Sequence, residues 1–440
     1  MRNFFLAILA GVLRVLAHLT LRRYKPMVVG ITGNVGKTST KEAIKTVLSF
    51  EKRVRASSRN FNNELGLPLV ILGAWDSTEG IFFWPRAVCA ALVRLIFKNT
   101  NYPEILVLEY GIDRPGDMTA LLEIARPNIG VVTALGKIPV HVEFFPSIES
   151  IAREKEKLMT HIPATGCAIL NADEESVLEM RTKTRAQVVT YGFSRDIDVR
   201  GTNFEETFAP EEGISFKESI ALNFKLNYAG SFVPVRIPGV LGESQAYAAL
   251  AASSVGVVLG MNLVQIAEAL THYKTPLGRL NVIEGIKGSI IIDDTYNGSP
   301  LATKEALTTL SHLKAKRKIA VLGDMLELGK YTLDAHEDIG RFAGKSTDLL
   351  ITIGMRAKAI AESAIAGGIQ KRFVFVFDTV RDAAAALKGM IQKEDLILIK
   401  ASQGVRLEKI TEEVMAHPEN APSLLVRQTS AWKNRPGLYD

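Results

Sequence analysis

The sequence predicts an α/β fold of two parallel-sheet domains, the first carrying a β-rich insert. Three observations lead there. The apolar run Met27-Val28-Val29 enters a glycine-containing stretch, Gly30–Thr40, and then Lys41–Leu48, whose apolar residues recur at helical spacing. Short apolar runs alternate with helical patterns on both sides of Pro276–Arg279, as they do where parallel strands are covered by helices on both faces. Between Gln187 and Pro238 the texture changes to short alternating runs such as Ser219–Leu226, which read as a small antiparallel insert. The expected divisions are an apolar N-terminal helix over residues 1–25, a central P-loop-like domain over 26–280, a Rossmann-like α/β domain over 281–416 and a loose tail over 417–440.

Taken in order, Phe4–Leu21 is nearly all apolar, broken by Arg14 and His18. A cleaved leader needs a small-residue cleavage site, yet Arg22-Arg23-Tyr24-Lys25-Pro26 runs straight into the first strand. A membrane span needs roughly 20 clean apolar residues, and an arginine near its centre is costly. The stretch Gly30-Ile31-Thr32-Gly33-Asn34-Val35-Gly36-Lys37-Thr38-Ser39-Thr40 follows. A strand, a glycine loop and a helix start in that order aim several backbone N–H groups at one point, which suits a nucleotide triphosphate. There Lys37 would neutralise the β- and γ-oxygens and Thr38 would hold Mg²⁺. A strict Walker A pattern has Gly where Ile31 stands.

Next, Asn60–Pro68 reads as a polar loop opening into apolar sequence. Ile105–Gly111 reads as a buried strand ending in the carboxylate of Glu109, and Gly130–Thr133 as another strand. Functional residues gather at the carboxyl ends of parallel strands, where Glu109 and the phosphate loop both lie. An alanine-rich helix covers Ser244–Leu259, and Pro276–Arg279 marks a hinge. Beyond it come strand Ser289–Ile292, helix Pro300–Leu313 and the strands Lys318–Leu322, Leu349–Ile353 and Leu396–Ile399.

Composition bounds the function classes. The 440 residues are 47% hydrophobic and 23% charged, the balance of an ordinary globular protein. Two widely separated cysteines, Cys89 and Cys167, argue against a disulfide framework and fit a reducing cytoplasm. A net charge of +6 without an aromatic-interleaved basic run argues against nucleic acid as a partner.

Several of these stretches resemble, in the same order, the motifs of the Mur ligase family. They are Thr32–Thr38, Asn60–Pro68, Glu109-Tyr110-Gly111, Gly278-Arg279, Asp293–Pro300 and Leu322-Gly323-Asp324-Met325-Leu326-Glu327-Leu328-Gly329. The Asp-Met-Leu-Glu-Leu-Gly run, His336 after it and Leu398–Ser402 are most similar to the MurF branch. The resemblance runs from about residue 27 to 415. It implies an ATP-dependent ligase that phosphorylates a carboxylate and lets an amine attack the acyl phosphate, adding a D-alanyl-D-alanine-like dipeptide to a peptidoglycan precursor peptide. ATP and Mg²⁺ are the implied cofactors.

The same resemblance assigns residues. Catalysis would rest on Lys37, His141, Lys155 and Arg279, and the metal ligands would be Thr38, Glu109, His141 and Lys155, the last carried as a carbamate. The nucleotide would meet Gly33, Asn34, Gly36, Lys37, Thr38, Ser39, Gln245, Arg279, Asp294 and Asn297, with Tyr296 lining the cleft. Acceptor and dipeptide would meet Asn60, Asn62, Asn63, Asp324, Met325, Glu327, His336, Lys400 and Ser402. Without the resemblance, Lys155 in Ile151–Leu158 reads as part of a solvated helix face with Glu/Lys pairs, and His141 as an ordinary loop histidine. Val35 and Ala134 stand where the family has asparagines, and Gly242–Gln245 stands where it often has His-Asn, leaving Gln245 to supply an amide.

The phosphate loop begins by residue 30, so the expectation from the resemblance is a chain without the N-terminal domain with which MurF proteins grip uridine diphosphate. On a helix, Asn3, Ala7, Gly11, Arg14, His18 and Arg22 share one narrow face among apolar residues, and Ile81–Lys98 repeats the plan with Arg86, Ala90, Arg94 and Lys98. Such helices suit an anionic membrane surface, or else pack on each other and on the core. The expectation is a monomer in the cytoplasm, attached peripherally to the inner face of the membrane through residues 1–23 with help from 81–98. The rivals are a family member with another amine or acceptor, a folylpolyglutamate-like reaction among them, and a nucleotide-dependent membrane scaffold that does not ligate.

Overall fold

The fully apolar runs of the chain form two sheets. The computed structural model describes residues 2–57, 61–75, 82–97, 99–209 and 219–440, without the side chains of 2–5. The first part runs α1 (Arg2–Tyr24), β1 (Met27–Thr32), α2 (Lys37–Leu48), β2 (Val54–Ala56), α3 (Gly66–Leu72), α4 (Phe83–Ile96), β3 (Ile105–Glu109), α5 (Asp117–Ile124), β4 (Ile129–Val132), α6 (Ile148–Thr160) and β5 (Cys167–Asn171). It continues through α7 (Glu175–Leu178), β6 (Gln187–Gly192), β7 (Val199–Phe208), β8 (Ile220–Tyr228), β9 (Ser231–Pro238), α8 (Glu243–Val258) and α9 (Leu263–Leu270). The second part runs β10 (Asn281–Glu284), β11 (Ile290–Asp294), α10 (Pro300–His312), β12 (Arg317–Gly323), α11 (Thr332–Ser346), β13 (Leu349–Ile353), α12 (Ala357–Gly367), β14 (Val374–Phe377), α13 (Val380–Met390), β15 (Asp395–Lys400), α14 (Glu408–Val414), α15 (Ala421–Leu424) and α16 (Ser430–Lys433).

The first sheet has the order β2-β3-β1-β4-β5-β6-β7-β8-β9 among the described residues. Strands β1 to β6 pair in parallel, and β3 is buried at every position, which is why it reads as one continuous apolar run. The alternating segment is no separate insert. β7 continues the sheet from β6 in parallel, and β8 and β9 add to it antiparallel. Leu222, Phe224 and Leu226 of β8 share one core with Ile44 of α2 and the alanines of α8, so the period-2 pattern marks strands with one buried face. On the opposite face α3, α5 and α6 pack through Val70, Leu121 and Leu158. The second sheet, β10-β11-β15-β12-β13-β14, is parallel except for edge strand β10. Helices α10, α11 and α12 cover one face, and α13 and α14 cover the other.

The segment after His417 is a docked strap and not a loose tail. Ala421 and Leu425 are buried in the second domain's core, the Val380 N–H donates to the Tyr439 carbonyl (2.7 Å), and Tyr439 donates to Asp324 (2.6 Å). The two apolar helices are also placed differently from the expected basic stripe. Leu9, Leu13 and Leu16 of α1 are buried against Leu72 and Ala91 of α3 and α4. Arg14 turns toward α5 and pairs with Glu123 at 3.0 Å, and His18 meets the Glu123 carbonyl. What faces outward from α1 is an apolar line, Ile8, Val12, Val15 and Leu19. Ile81 and Lys98, the expected ends of the second stripe, lie outside the described residues.

One buried acid gives the second domain a pH-dependent stability. Asp293 of β11 accepts from Thr295 Oγ1 (2.8 Å) and Thr411 Oγ1 (3.1 Å), while its Oδ2 has no hydrogen-bond partner among the described residues. Burial pushes its pKa up to about 7. A folded-state pKa above the unfolded one means stabilisation present at low pH and lost as pH rises toward and through 7. Asp293→Asn mimics the neutral form. Wild type is expected to fall relative to this variant by on the order of 2–3 kcal/mol between about pH 4 and pH 8 in denaturant titrations, whereas parallel profiles would show that Asp293 does not titrate there.

Candidate active site

The phosphate loop joins the end of β1 to the start of α2, beside the carboxyl ends of β3 and β4. Gly36 takes a left-handed conformation (φ 86°) and starts α2 with no side-chain cap, so the helix N-terminus is left for an anion. Gly33 has φ 146°, and a Cβ there would lie 1.9 Å from Thr133 Oγ1, so no other residue fits. The two departures from the family pattern meet: Val35 and Ala134 form an isolated β-bridge, and the N–H groups of Asn34 and Val35 both donate to the Ala134 carbonyl (2.7 and 3.1 Å). Asn34 Nδ2 donates to Leu135 O (2.6 Å) and Thr133 Oγ1 to Val35 O (2.6 Å), which fastens the loop to the end of β4.

Two amines converge on one carbonyl. Lys37 Nζ donates to Gly33 O at 2.8 Å and Asn34 O at 3.3 Å, and Lys155 Nζ reaches the same Gly33 O at 3.0 Å. Lys155 is 2% exposed, so the solvated-face reading of α6 fails at this position. Its neighbour Glu154 is also buried, because its Oε1 accepts from the N–H groups of Gly116 and Met118 (both 3.1 Å) at the start of α5. Burial, reinforced by the nearby Lys37 charge, holds the Lys155 amine well below the usual lysine range. Burial also lowers Lys37, against the opposing pull of Glu109.

Glu109, 3% exposed at the end of β3, stands within 3.4 Å of Thr38 Oγ1 and of Asn62 Nδ2, with Lys41 Nζ at 4.0 Å. A hydroxyl and a carboxylate side by side at a phosphate loop fit Mg²⁺, which takes one or two carboxylates and completes its shell with water and phosphate. No group of three or more His, Cys, Asp and Glu side chains able to hold a metal occurs among the described residues. His141 is engaged elsewhere: its Nδ1 lies 2.7 Å from Glu327 Oε2 of the second domain, and its Nε2 lies 3.4 Å from Asp113 Oδ1. The imidazole holds the Glu327 carboxyl below its ordinary range. Of the expected metal ligands, the structure therefore joins Thr38 with Glu109, whereas His141 bridges the two domains. Asn63 caps the start of α3, its Oδ1 accepting from Gly66 N (2.8 Å), and Asn60 lies outside the described residues.

From the hinge, Arg279 comes to the cleft with its guanidinium 4.3 Å from the centroid of the Tyr296 ring. A small cavity lies between the domains, bounded by Gly36, Thr38 and Ser39 on one side and Arg279, Asp294 and Glu305 on the other. Several expected contacts prove to be internal braces. Asp294 and Lys400 are partners in the β11–β15 register, and Lys400 Nζ donates to Asp294 Oδ2 at 2.6 Å and Asn297 O at 3.0 Å; Lys400 is 1% exposed. Asn297 Oδ1 accepts from its neighbour's N–H, Gly298, at 2.9 Å. Gln245, which lines the same cavity, donates to Arg279 O (3.3 Å) and accepts from Tyr273 OH (2.7 Å), so its amide positions the hinge.

The motif after β12 also divides. Asp324, fully buried, accepts from Ala357 N (2.8 Å) and Tyr439 OH (2.6 Å). His336, also fully buried, accepts from Met325 N at Nε2 (3.0 Å) and donates from Nδ1 to Thr332 O (2.6 Å); burial lowers its pKa, so it is a neutral clamp. Ser402 Oγ donates to Gly298 O (3.1 Å) and accepts from Leu326 N (2.9 Å). Asp324, Met325, His336 and Ser402 thus shape the loop from inside, and Glu327 is the member that faces the other domain. Sequence reasoning passed over Glu305, on α10. No motif marks it, and burial pushes its carboxyl up to about 8, against the pull of Lys400. It also lines an adjoining cavity of about 230 Å³ with Asn171, Asp173 and Glu174.

Comparison with known proteins agrees with this geometry. The family model for the Mur ligase middle domain matches residues 90–255, and that for the Mur ligase glutamate ligase domain matches 278–403. The UDP-N-acetylmuramoyl-tripeptide–D-alanyl-D-alanine ligase of Bacillus subtilis is 31% identical over 409 residues, covering 92% of this chain and 79% of that protein. The structure of MurF from Thermotoga maritima in complex with ADP has a TM-score of 0.74 at 28% identity, covering 92% of this chain and 83% of that one. A MurF structure from Acinetobacter baumannii also has a TM-score of 0.74, at 25% identity, covering 91% of this chain and 79% of that one. Motifs in order, a P-loop-like domain followed by a Rossmann-like one, and relatives matched over most of their length agree: the chain belongs to the Mur ligase family.

Proposed function

We propose that the cleft carries out ATP-dependent amide ligation of the MurF kind, adding a D-alanyl-D-alanine-like dipeptide to the peptide of a peptidoglycan precursor. The observation that carries the reading is the phosphate loop itself, with Lys37 and Lys155 on one carbonyl and Thr38 beside Glu109, in a chain 31% identical to a curated MurF ligase. An acceptor carboxylate oxygen attacks the γ-phosphorus and ADP leaves. The dipeptide amine then attacks the acyl carbon, the C–O bond breaks, phosphate departs with that oxygen, and the amine's proton is lost to solvent. The first step brings an anion to a polyanion, so cationic groups aimed at the phosphates supply most of the stabilisation. Lys37 and Arg279 take that role. Thr38 and Glu109 would hold Mg²⁺, which neutralises phosphate charge when bound.

Lys155 is the candidate for carbamylation. A neutral amine attacks CO₂, and one proton is released as the anionic carbamate forms; the depressed pKa favours the neutral amine. Glu327, 41% exposed, is the candidate to take up the dipeptide ammonium. Phosphate release is expected only when ATP, an acceptor peptide and the dipeptide are all present. A screen of acceptor fragments with and without the uridine diphosphate group tests this and identifies the carrier. Tight nucleotide binding with no phosphate release for any fragment would favour a scaffold.

A second reading concerns location. No helix among the described residues is long and apolar enough to cross a membrane. Yet Ile8, Val12, Val15 and Leu19 of α1 and Leu92, Val93, Ile96 and Phe97 at the end of α4 are exposed, as are Arg22, Arg23 and Arg86, and neither helix contains an acidic residue. That combination supports peripheral contact with an anionic lipid surface. In flotation with anionic vesicles, wild type should rise, and the triple variant Val12→Glu, Val15→Glu, Leu19→Glu should lose most of that binding. Equal sedimentation of both proteins away from lipid would overturn the reading.

A further inference from the structure

Tyr296 is the ring on which Arg279 lies, and it is held from two sides. On the hinge side its N–H donates to Gly278 O at 3.1 Å. On the other side the C-terminal strap reaches it. Arg427 Nη1 donates to Thr295 O at 3.1 Å, Nη2 donates to Tyr296 O, and the guanidinium carbon sits 5.8 Å from the Tyr296 ring centroid. The strap thus grips the two residues that follow β11, at the point where the chain enters the nucleotide cleft. We propose that Arg427 is a positioning residue of the active site, fixing Tyr296 and through it the Arg279 guanidinium opposite the phosphate loop.

Four features set this contact apart from ordinary tail packing. Arg427 is almost wholly buried, its side chain 5% exposed, and its charge is met by Glu408 Oε2 at 2.9 Å, itself 1% exposed. A buried guanidinium without such a partner would be expensive, so the pair is built around this site. Glu408 also binds Arg406, which donates to the carbonyls of Trp432 (3.0 Å) and Arg435 (2.7 Å), so the rest of the strap is tied to the same carboxylate. Arg427 also has φ 60°, a conformation that a side-chain-bearing residue keeps only when its surroundings enforce it. Two backbone carbonyls, one carboxylate and one ring take up a planar fork of donors, a geometry that lysine cannot reproduce.

The inference rests on the reading of this cleft as the nucleotide site, and the test separates the two. Steady-state kinetics in ATP are compared for wild type, Arg427→Lys, Arg427→Ala, Arg279→Ala and the double variant Arg279→Ala/Arg427→Ala, with thermal melting alongside. Loss of a buried, charge-assisted contact of this kind is expected to raise KM for ATP or lower kcat by about tenfold in Arg427→Ala, with Arg427→Lys in between. Because Arg427 acts through Arg279, the double variant should be no slower than Arg279→Ala alone. Partial recovery of Arg427→Ala by added guanidinium, with no effect on wild type, is the second expected sign. If Arg427→Ala does not fold, Arg427→Lys set against Arg279→Ala/Arg427→Lys decides in the same way. Effects that multiply independently, or a lowered melting temperature with unchanged kinetics in ATP, overturn the positioning role. If the nucleotide reading itself is wrong, ATP neither binds wild type nor distinguishes it from Arg279→Ala.

Discussion

Lys37→Ala is expected to lower ligation by about a thousandfold at saturating ATP, because it removes a cation placed where two anions must meet. The Lys37 amine is already anchored within the loop by the carbonyls of Gly33 and Asn34, and α2 starts at the same point without a side-chain cap. Burial lowers its pKa, and the incoming triphosphate opposes that shift, so the bound state is the charged one. The loss should therefore fall on turnover as well as on ATP affinity. Phosphate release by the variant under saturating ATP, acceptor and dipeptide gives the number. Turnover close to wild type would remove the loop from the mechanism.

The second large effect is expected at Lys155. Its amine is buried, shares the Gly33 carbonyl with Lys37, and has its pKa held well below the usual lysine range by burial and by the Lys37 charge. Two ammonium groups on one carbonyl oxygen would repel; one ammonium and one carbamate attract. Lys155→Ala is expected to lose about 10² to 10³ in turnover through the missing negative charge, and a short carboxylic acid should restore part of it by entering the vacated space. Wild-type activity should also rise with bicarbonate after the protein is stripped of CO₂. Full activity in Lys155→Ala, or an unmodified lysine by intact mass at high bicarbonate, would contradict the carbamate.

What the sequence made legible was what local pattern controls. The strand, loop and helix around Gly33 and Gly36 are contiguous, so their order announced an anion site, and β3 announced itself by an unbroken apolar run. Pairings between distant segments were not legible. The alternating run at 199–238 reads as strands, but nothing local says that β7 lies beside β6 in the first sheet. A motif also does not say which way each side chain points. Asp324, Met325, Glu327 and His336 sit in or just after one motif, yet Asp324, Met325 and His336 are buried and Glu327 reaches across to His141. In α6 the run Arg153–Lys157 has the look of a solvated face, and the N–H groups of Gly116 and Met118, from a distant segment, explain why Glu154 turns in with Lys155. Arg427 has no signature either, since its partners are the carbonyls of Thr295 and Tyr296 and the carboxylate of Glu408.

The central claim is that a carboxylate is phosphorylated in this cleft before an amide forms. Acceptor peptide labelled with ¹⁸O in its reacting carboxylate, incubated with ATP and the dipeptide, tests it directly by mass spectrometry of the released phosphate. The mechanism predicts one labelled oxygen carried from each reacting carboxylate into each phosphate, in step with amide formation. Unlabelled phosphate, formed by attack of water on ATP while the acceptor keeps both labelled oxygens, would contradict it.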